Sequence, residues 1–539
     1  MQFRMPPLVG RKNLGMLDGS ASSGREIGSS RADESVFSSN RWPLLALLAA
    51  LTAATIWIQL STYPNHDVAW VLWGTREMLQ GAEFGIDIIE PNPPLAWYLS
   101  MPTTALAMQL SWPLDWTFRI AVALASAISA LCFGRLAGSG SASRQLVLTV
   151  VAATALLVLP GREFAQREHL AVLATPPYLG LVARRLDHQA LPSLGLVLVI
   201  GVAAGLGFAL KPYFLAVPLF VELVIQWKRR GRISLFRAEN LAIGAVMVGY
   251  AAMVLLFNQE YLQRAVPLAN EIYWSFNRPW QVIRFPLLPW LLMIVPVGVY
   301  AIYRQDNLGI LLFAACLAFI LAYVVQQKGY TYHRLPVTVI ALVMLANLST
   351  AGRKTLRLAA SIAILSLFLV ALRPVMAWWE VNKPGGTRTV EIDRILGSID
   401  THADNGRFLM VAVHPYPSFP ASIYADGEYV SRTNSHWFLP ATMQIRQGLA
   451  RSPHAASIES NAREFILHDL SRQPDLVLID SYAARHTDLL RNEDFVQFYE
   501  EDAAFRELWE DYREIEPIGK YRQFVRCSPR SDREGQMPQ

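Results

Sequence analysis

Long apolar runs separated by short polar turns fill residues 42–375. Twelve of them approach the roughly 20 residues that a helix needs to cross a bilayer: 42–60, 95–111, 118–136, 145–160, 170–183, 192–210, 213–227, 240–257, 285–303, 308–325, 335–349 and 356–374. The pattern predicts an α-helical polytopic membrane protein. It changes after residue 375. Phe408 to Val413 reads as a buried strand ending at His414-Pro415, and Asp475 to Asp480 as a second. Between and after them, 456–472 and 492–514 read as helices, so 376–539 is expected to be a soluble α/β domain. Residues 1–41, rich in Ser, Gly and Arg, read as a disordered cytoplasmic tail. The first apolar run lacks a small-residue cleavage site, which predicts a retained helix rather than a signal peptide.

Basic residues orient these runs, because short cytoplasmic loops collect Lys and Arg. Arg135 and Arg144, Arg184 and Arg185, the cluster from Lys228 to Arg237, Arg304, and Arg353, Lys354 and Arg357 all fall on one side only if 95–111 does not cross. That run follows Pro93-Pro94, contains Pro102, and is interrupted by Ser100, Thr103, Thr104 and Gln109. It is read as an interfacial helix within the first outer loop, which leaves about eleven spans. The expected domains are therefore a tail at 1–41, a membrane domain at 42–375 and a periplasmic α/β domain at 376–539, in a bacterial inner membrane. Arg373, at the outer end of the last run, is the one basic residue out of place, and a long side chain there can snorkel.

Composition sharpens this picture. Of the 539 residues 53% are hydrophobic and only 17% charged, against about 25% in ordinary domains. The net charge of +5 comes from residues between the apolar runs, so nucleic acid is not an expected partner. The three cysteines are far apart and imply no disulfide framework.

The parity argument gathers the unusual polar residues on the outer face. The first loop carries Asp67, Glu77, Glu83, Asp87 and Glu90 among the aromatics Trp70, Trp73, Phe84, Trp97 and Tyr98. Later turns add Arg162, Glu163, Arg167, Glu168 and His169, then Lys211, then Lys328, Tyr330, Tyr332, His333 and Arg334. The 258–284 loop reads as a surface helix that could cap them. Taken singly, each is a solvated turn or an aromatic belt with snorkelling bases. Taken together, carboxylates that can take a proton or hold a divalent metal face cations that can hold a phosphate. Grooves between lipid-facing helices suit a long isoprenoid chain. The set suits a transfer reaction with a lipid-phosphate donor and an acceptor arriving from outside.

An Asp shortly after the first span, followed by Glu90-Pro91-Asn92-Pro93-Pro94-Leu95 and Tyr98, resembles the first periplasmic loop of GT-C fold glycosyltransferases. Similar relatives are the protein O-mannosyltransferases, the lipid A aminoarabinose transferase and the rhizobial lipopolysaccharide galacturonosyltransferases. Phe164 to Leu170, Gly205-Leu206-Gly207 with Lys211, and Lys328-Gly329-Tyr330 with Tyr332-His333 resemble further family segments. The resemblance covers roughly 42–350; the C-terminal region matches no family segment.

The resemblance implies a polyprenyl-phosphate-linked sugar donor, inversion at the anomeric carbon, and a periplasmic glycan, lipid or protein as acceptor. Asp67 corresponds to the catalytic carboxylate and Glu90 to the acidic residue before the proline pair. Glu168 stands where relatives often have Asp. Relatives commonly place a basic residue where this chain has Pro91-Asn92, so phosphate contact falls to Lys211, Lys328 and His333, with Arg334. Arg167, Glu168, Tyr98 and Tyr332 are expected on the acceptor side or supporting it. A divalent metal shared by Asp67 and Glu90 is the one cofactor this pattern admits. Two other classes stay open at this point. One is a transporter or flippase of a lipid-linked glycan, although the paired broken helices of transporters are not seen. The other is an assembly protein working through 376–539.

Overall fold

The computed structural model describes residues 42–138, 140–229, 235–351, 353–480 and 494–527. The expectations for 1–41 and for Arg230 and Arg232 fall outside the described residues. Contacts divide the chain into Met1–Ala46 and Leu47–Gln539. Of the first unit only the opening of a helix, from Trp42, is described.

Every one of the twelve apolar runs is helical. Among the described residues six helices are long and apolar enough to cross a membrane: Trp42–Leu60, Leu114–Ala137, Ala238–Phe257, Asn307–Gln326, Thr331–Thr350 and the stretch Lys354–His402. Three shorter apolar helices, Ala142–Leu157, Leu194–Ala209 and Leu288–Arg304, accompany them. The helix Arg167–Leu186 is buried along most of its length despite Pro176 and Pro177 inside it. It packs against Leu114–Ala137, Leu194–Ala209 and Thr331–Ala351. Proline is tolerated there because packed neighbours compensate the freed backbone groups.

Leu95–Leu110 begins directly after Pro94 and ends at Ser111, whose φ of 52° is left-handed. With 16 residues it is shorter than the six long apolar helices. It lies against His66–Leu79, where the Thr75 and Ser100 hydroxyls meet at 2.7 Å. Small hydroxyls in mutual contact let the two helices of the first loop approach closely and satisfy both groups.

The C-terminal region is built on five strands among the described residues: β1 Arg407–Val411, β2 Glu428–Tyr429, β3 Leu476–Asp480, β4 Tyr512–Ile518 and β5 Tyr521–Arg526, in the order β2-β1-β3-β5-β4. β1 runs parallel to β2 and β3, with Phe408 opposite Leu476 and Val411 opposite Ile479. β3 is buried throughout and β1 all but its first residue, as parallel strands covered on both faces are. Their continuous apolar runs are what made these two readable in sequence. The helix expected over 456–472 is Ala455–Ser471. The one expected over 492–514 is corrected: helices Phe495–Glu500 and Ala503–Trp509 give way to β4 at Tyr512. Gly519, at φ +59°, turns the chain into β5, a geometry that glycine adopts without a Cβ clash.

Two backbone contacts fix this region against the first loop and its own sheet. Ile89 N–H donates to the Arg432 carbonyl at 2.8 Å, and His436 N–H to the Ala412 carbonyl at 2.8 Å. Residues 412–416 continue from the carboxyl end of β1, the end at which α/β sheets generally form ligand sites.

Candidate active site

The site begins at the start of the helix His66–Leu79. Asn65 caps it, its side chain accepting the Asp67 N–H at 2.9 Å. Asp67 therefore sits in the first turn and is not itself the cap. Among the described residues no hydrogen bond occupies its carboxylate, and the nearest basic group is His66 Nε2 at 3.8 Å. Burial pushes the His66 imidazole below its ordinary pKa, against the pull of Asp67. The His66 ring packs edge-on to His414 at 4.6 Å.

Glu90 has a different environment. It is buried, with Oε2 accepting from Trp70 Nε1 at 2.7 Å and Oε1 accepting from the Asn92 backbone N–H at 2.9 Å and from the Asn92 side chain. Arg167 Nη1 stands 3.7 Å away. The Pro91-Asn92-Pro93 segment thus wraps back on the carboxylate that precedes it. Its lone pairs are committed to donors and its charge to Arg167, so Glu90 is built to hold the loop and to aim Arg167.

A third carboxylate, Glu168, is buried. Glu168 Oε1 receives Lys211 Nζ at 2.6 Å and stands 3.5 Å from His333 Nε2. Lys211 also reaches Gln326 Oε1 at 3.4 Å and lies 5.5 Å from the Tyr332 ring centre. Burial pushes the Lys211 ammonium down, and Glu168 pulls it back. All three groups are buried, and a buried charge persists when its partner is this close.

A cavity of about 780 Å³ brings these parts together. Asp67, Glu90, Arg167, Lys211, Lys328, Tyr332 and His333 all line it. Three expected site residues do not. Arg334 is one position beyond His333, and the 100° turn per helical residue takes it off the wall. Tyr98 turns towards the helix Ala238–Phe257 and its end, donating to Asn258 Oδ1 at 3.0 Å. Glu168 backs the wall from behind Lys211. Lys328 is held otherwise, donating to the Tyr273 carbonyl at 2.5 Å and to Asn277 Oδ1 at 2.9 Å, with its ammonium over the Tyr273 ring at 4.9 Å. Burial pushes its pKa down to about 8. The expected capping loop is a chain of short helices from Tyr261 to Arg284, and Tyr261, Tyr273 and Phe276 reach the cavity from it.

Sequence reasoning missed the opposite wall. Arg388 and the residues Val413 to Tyr416 and Asn434, Ser435 and Trp437 also line the cavity. The signal for part of it was present, since a strand ending at His414-Pro415 delivers a His at its carboxyl end. As for a metal, among the described residues no group of three or more His, Cys, Asp or Glu gathers to hold one. Among the described residues lining the cavity, Glu90 is paired with Arg167 and Glu163 with Arg162, whereas the basic neighbour of Asp67 is His66, at 3.8 Å.

Neither a protein-family profile nor a curated protein matches this chain. Solved structures that resemble its course include the following two. One is the archaeal oligosaccharyltransferase AglB from Archaeoglobus fulgidus in complex with an inhibitory peptide and a dolichol-phosphate, at 11% identity and a TM-score of 0.44, over 90% of this chain and 74% of that one. The other is the Archaeoglobus fulgidus oligosaccharyltransferase in complex with Zn and sulfate, at 11% identity and a TM-score of 0.42, over 89% and 73%. At these scores the chemistry has to be argued from the residues of the cavity.

Proposed function

We propose that this protein is an inverting membrane glycosyltransferase that moves a sugar from a polyprenyl-phosphate donor to an acceptor outside the bacterial inner membrane. The observation that carries this reading is the shared cavity. It joins Asp67, whose carboxylate has no hydrogen bond among the described residues, to the cations Arg167 and Lys328, at the ends of helices apolar enough for lipid. In the reaction the acceptor hydroxyl oxygen forms a bond to the anomeric carbon as the bond from that carbon to the phosphate oxygen breaks. Asp67 takes the hydroxyl proton, and the polyprenyl phosphate leaves with the electron pair. Lys328 and Arg167 hold the phosphate and stabilise the charge that develops on it. Glu90 fixes Arg167, and the Glu168–Lys211–His333 cluster keeps the cavity floor rigid.

In this reading 42–375 is the catalytic membrane part with about eleven spans, and 376–539 faces the periplasm with the active site. A divalent cation would enter with the donor phosphate and meet the protein at Asp67. The deciding experiment is mass spectrometry of envelope glycans from cells with and without the protein, and with Asp67→Asn. Loss of one sugar from one glycan in both deficient strains is expected. A flippase would instead leave a lipid-linked precursor trapped, and Asp67→Asn would complement the deletion.

A further inference from the structure

We propose that Arg388 forms a second anion site in the cavity, which holds a phosphate or carboxylate carried by the acceptor saccharide. The inference rests on the transfer reading above for its division into donor and acceptor sides. Five lysines and arginines line the cavity, and three have carboxylate partners: Arg162 with Glu163, Arg167 with Glu90, and Lys211 with Glu168. Among the described residues only Lys328 and Arg388 line it with no carboxylate within ion-pair distance. They belong to different walls. Lys328 is held by the 258–284 segment, whereas Arg388 lies 5.4 Å from the Tyr416 ring centre, beyond the carboxyl end of β1.

Arg388 is exposed, and two features favour an anion beside it. It occupies the first turn of the 16-residue helix Thr387–His402, where the macrodipole disfavours a cation and favours an anion. The carboxylates nearest in sequence are engaged by tyrosines of the cavity wall: Tyr416 OH donates to Glu391 at 2.9 Å and Tyr63 OH to Asp393 at 2.7 Å. Among the described residues neither carboxylate forms an ion pair with Arg388, whose guanidinium lies against the Tyr416 ring. Its place also suits an acceptor. Tyr416 is two residues from His414, whose ring packs on His66, the neighbour of Asp67. An acceptor whose hydroxyl reaches Asp67 can lay an anionic group on Arg388, and the planar guanidinium suits either a phosphate or a carboxylate.

The test uses the full-length protein in lipid nanodiscs, titrated separately with glucose 6-phosphate, glucuronate, glucose and undecaprenyl phosphate. The charged sugars are expected to bind about tenfold or more tighter than glucose. Arg388→Gln should abolish that gap, Arg388→Lys should retain part of it, and neither should alter undecaprenyl phosphate affinity. Phosphate alone showing the gap would assign a phosphorylated acceptor, and glucuronate alone an acidic sugar. Equal affinity for charged and neutral sugars in the wild type, or a gap that survives Arg388→Gln, overturns the proposal. Binding of the charged sugars through Arg388 without any binding of undecaprenyl phosphate would overturn the donor reading and leave this site standing.

Discussion

Lys211 and Glu168 form a buried ion pair, Nζ to Oε1 at 2.6 Å, against the wall of the cavity rather than across it. An uncompensated charge left in that place costs about 3–5 kcal/mol, more than either charge alone would contribute to a surface contact. Lys211→Met should therefore lower the melting temperature in detergent, and Lys211→Met with Glu168→Gln should recover part of the loss. If the single variant weakens donor binding without changing the melt, Lys211 touches the donor instead.

Asp67→Asn separates chemistry from architecture. Because Asn65 supplies the helix cap, the variant should fold and bind undecaprenyl phosphate as the wild type does. It should lose transfer by about 10²–10⁴-fold, the usual contribution of a positioned general base. Asn65→Ala is the complementary change, with an expected stability loss of about 1 kcal/mol. Near-normal turnover by purified Asp67→Asn would remove it as the base.

The pH response should follow Lys328. Its pKa is pushed down to about 8 by burial, so its ammonium is present below that value and lost as pH rises through it. Affinity for undecaprenyl phosphate should fall across that range, and Lys328→Arg should keep it flat. The sign for folding is opposite. The unfolded lysine holds its proton up to its ordinary value of 10.5, so between about 8 and that value the unfolded state binds more protons and stability rises with pH. An unchanged pH profile in Lys328→Arg would place the titrating group elsewhere.

Tyr424 joins the C-terminal region to the helix Leu114–Ala137 by donating to Asp115 Oδ1 at 2.7 Å. Arg119 pairs with the same carboxylate and donates to the Thr62 carbonyl at 3.0 Å, next to the turn that leads to Asp67. Tyr424→Phe removes one hydrogen bond to a buried charge and should cost about 1.5–3 kcal/mol. A melt matching wild type would show that the tie carries no load.

Topology can be tested directly. Single cysteines placed near Arg144 and near Asp404, in a background lacking Cys132, Cys316 and Cys527, should label from opposite sides of the membrane. Labelling from the same side would sink the orientation.

The helices were legible because apolar run length and helix length are the same quantity seen twice: the run 42–60 and the helix Trp42–Leu60 coincide. β1 and β3 were legible for a related reason, being short and apolar on both faces. β4 was not, because its exposed edge carries Arg513, Glu514 and Glu516 among apolar residues and reads as a helical continuation. Within the site, Asp67, Glu90, Lys211, Lys328 and His333, which the sequence reading gathered on one face, line one cavity. Which of them would remain without a partner was not readable, since that depends on side-chain direction. His333 and Arg334 differ by one residue and face different surroundings. Arg388 was beyond reach, because nothing local says that a residue after the last apolar run folds back beside residue 66.

The hydrogen bond from Ile89 to the Arg432 carbonyl sets an order of events during synthesis. The segment that holds Glu90 is made when fewer than a fifth of the residues have left the ribosome, and its backbone partner arrives only when about four-fifths have. Until residue 432 has been made, the loop beside Asp67 lacks this backbone partner. A nascent chain, or one cut short after its last membrane helix, is therefore expected to sit in the bilayer with its helices assembled and its chemistry silent. On the transfer reading proposed above, that delay would keep an unfinished chain from acting on the donor lipid.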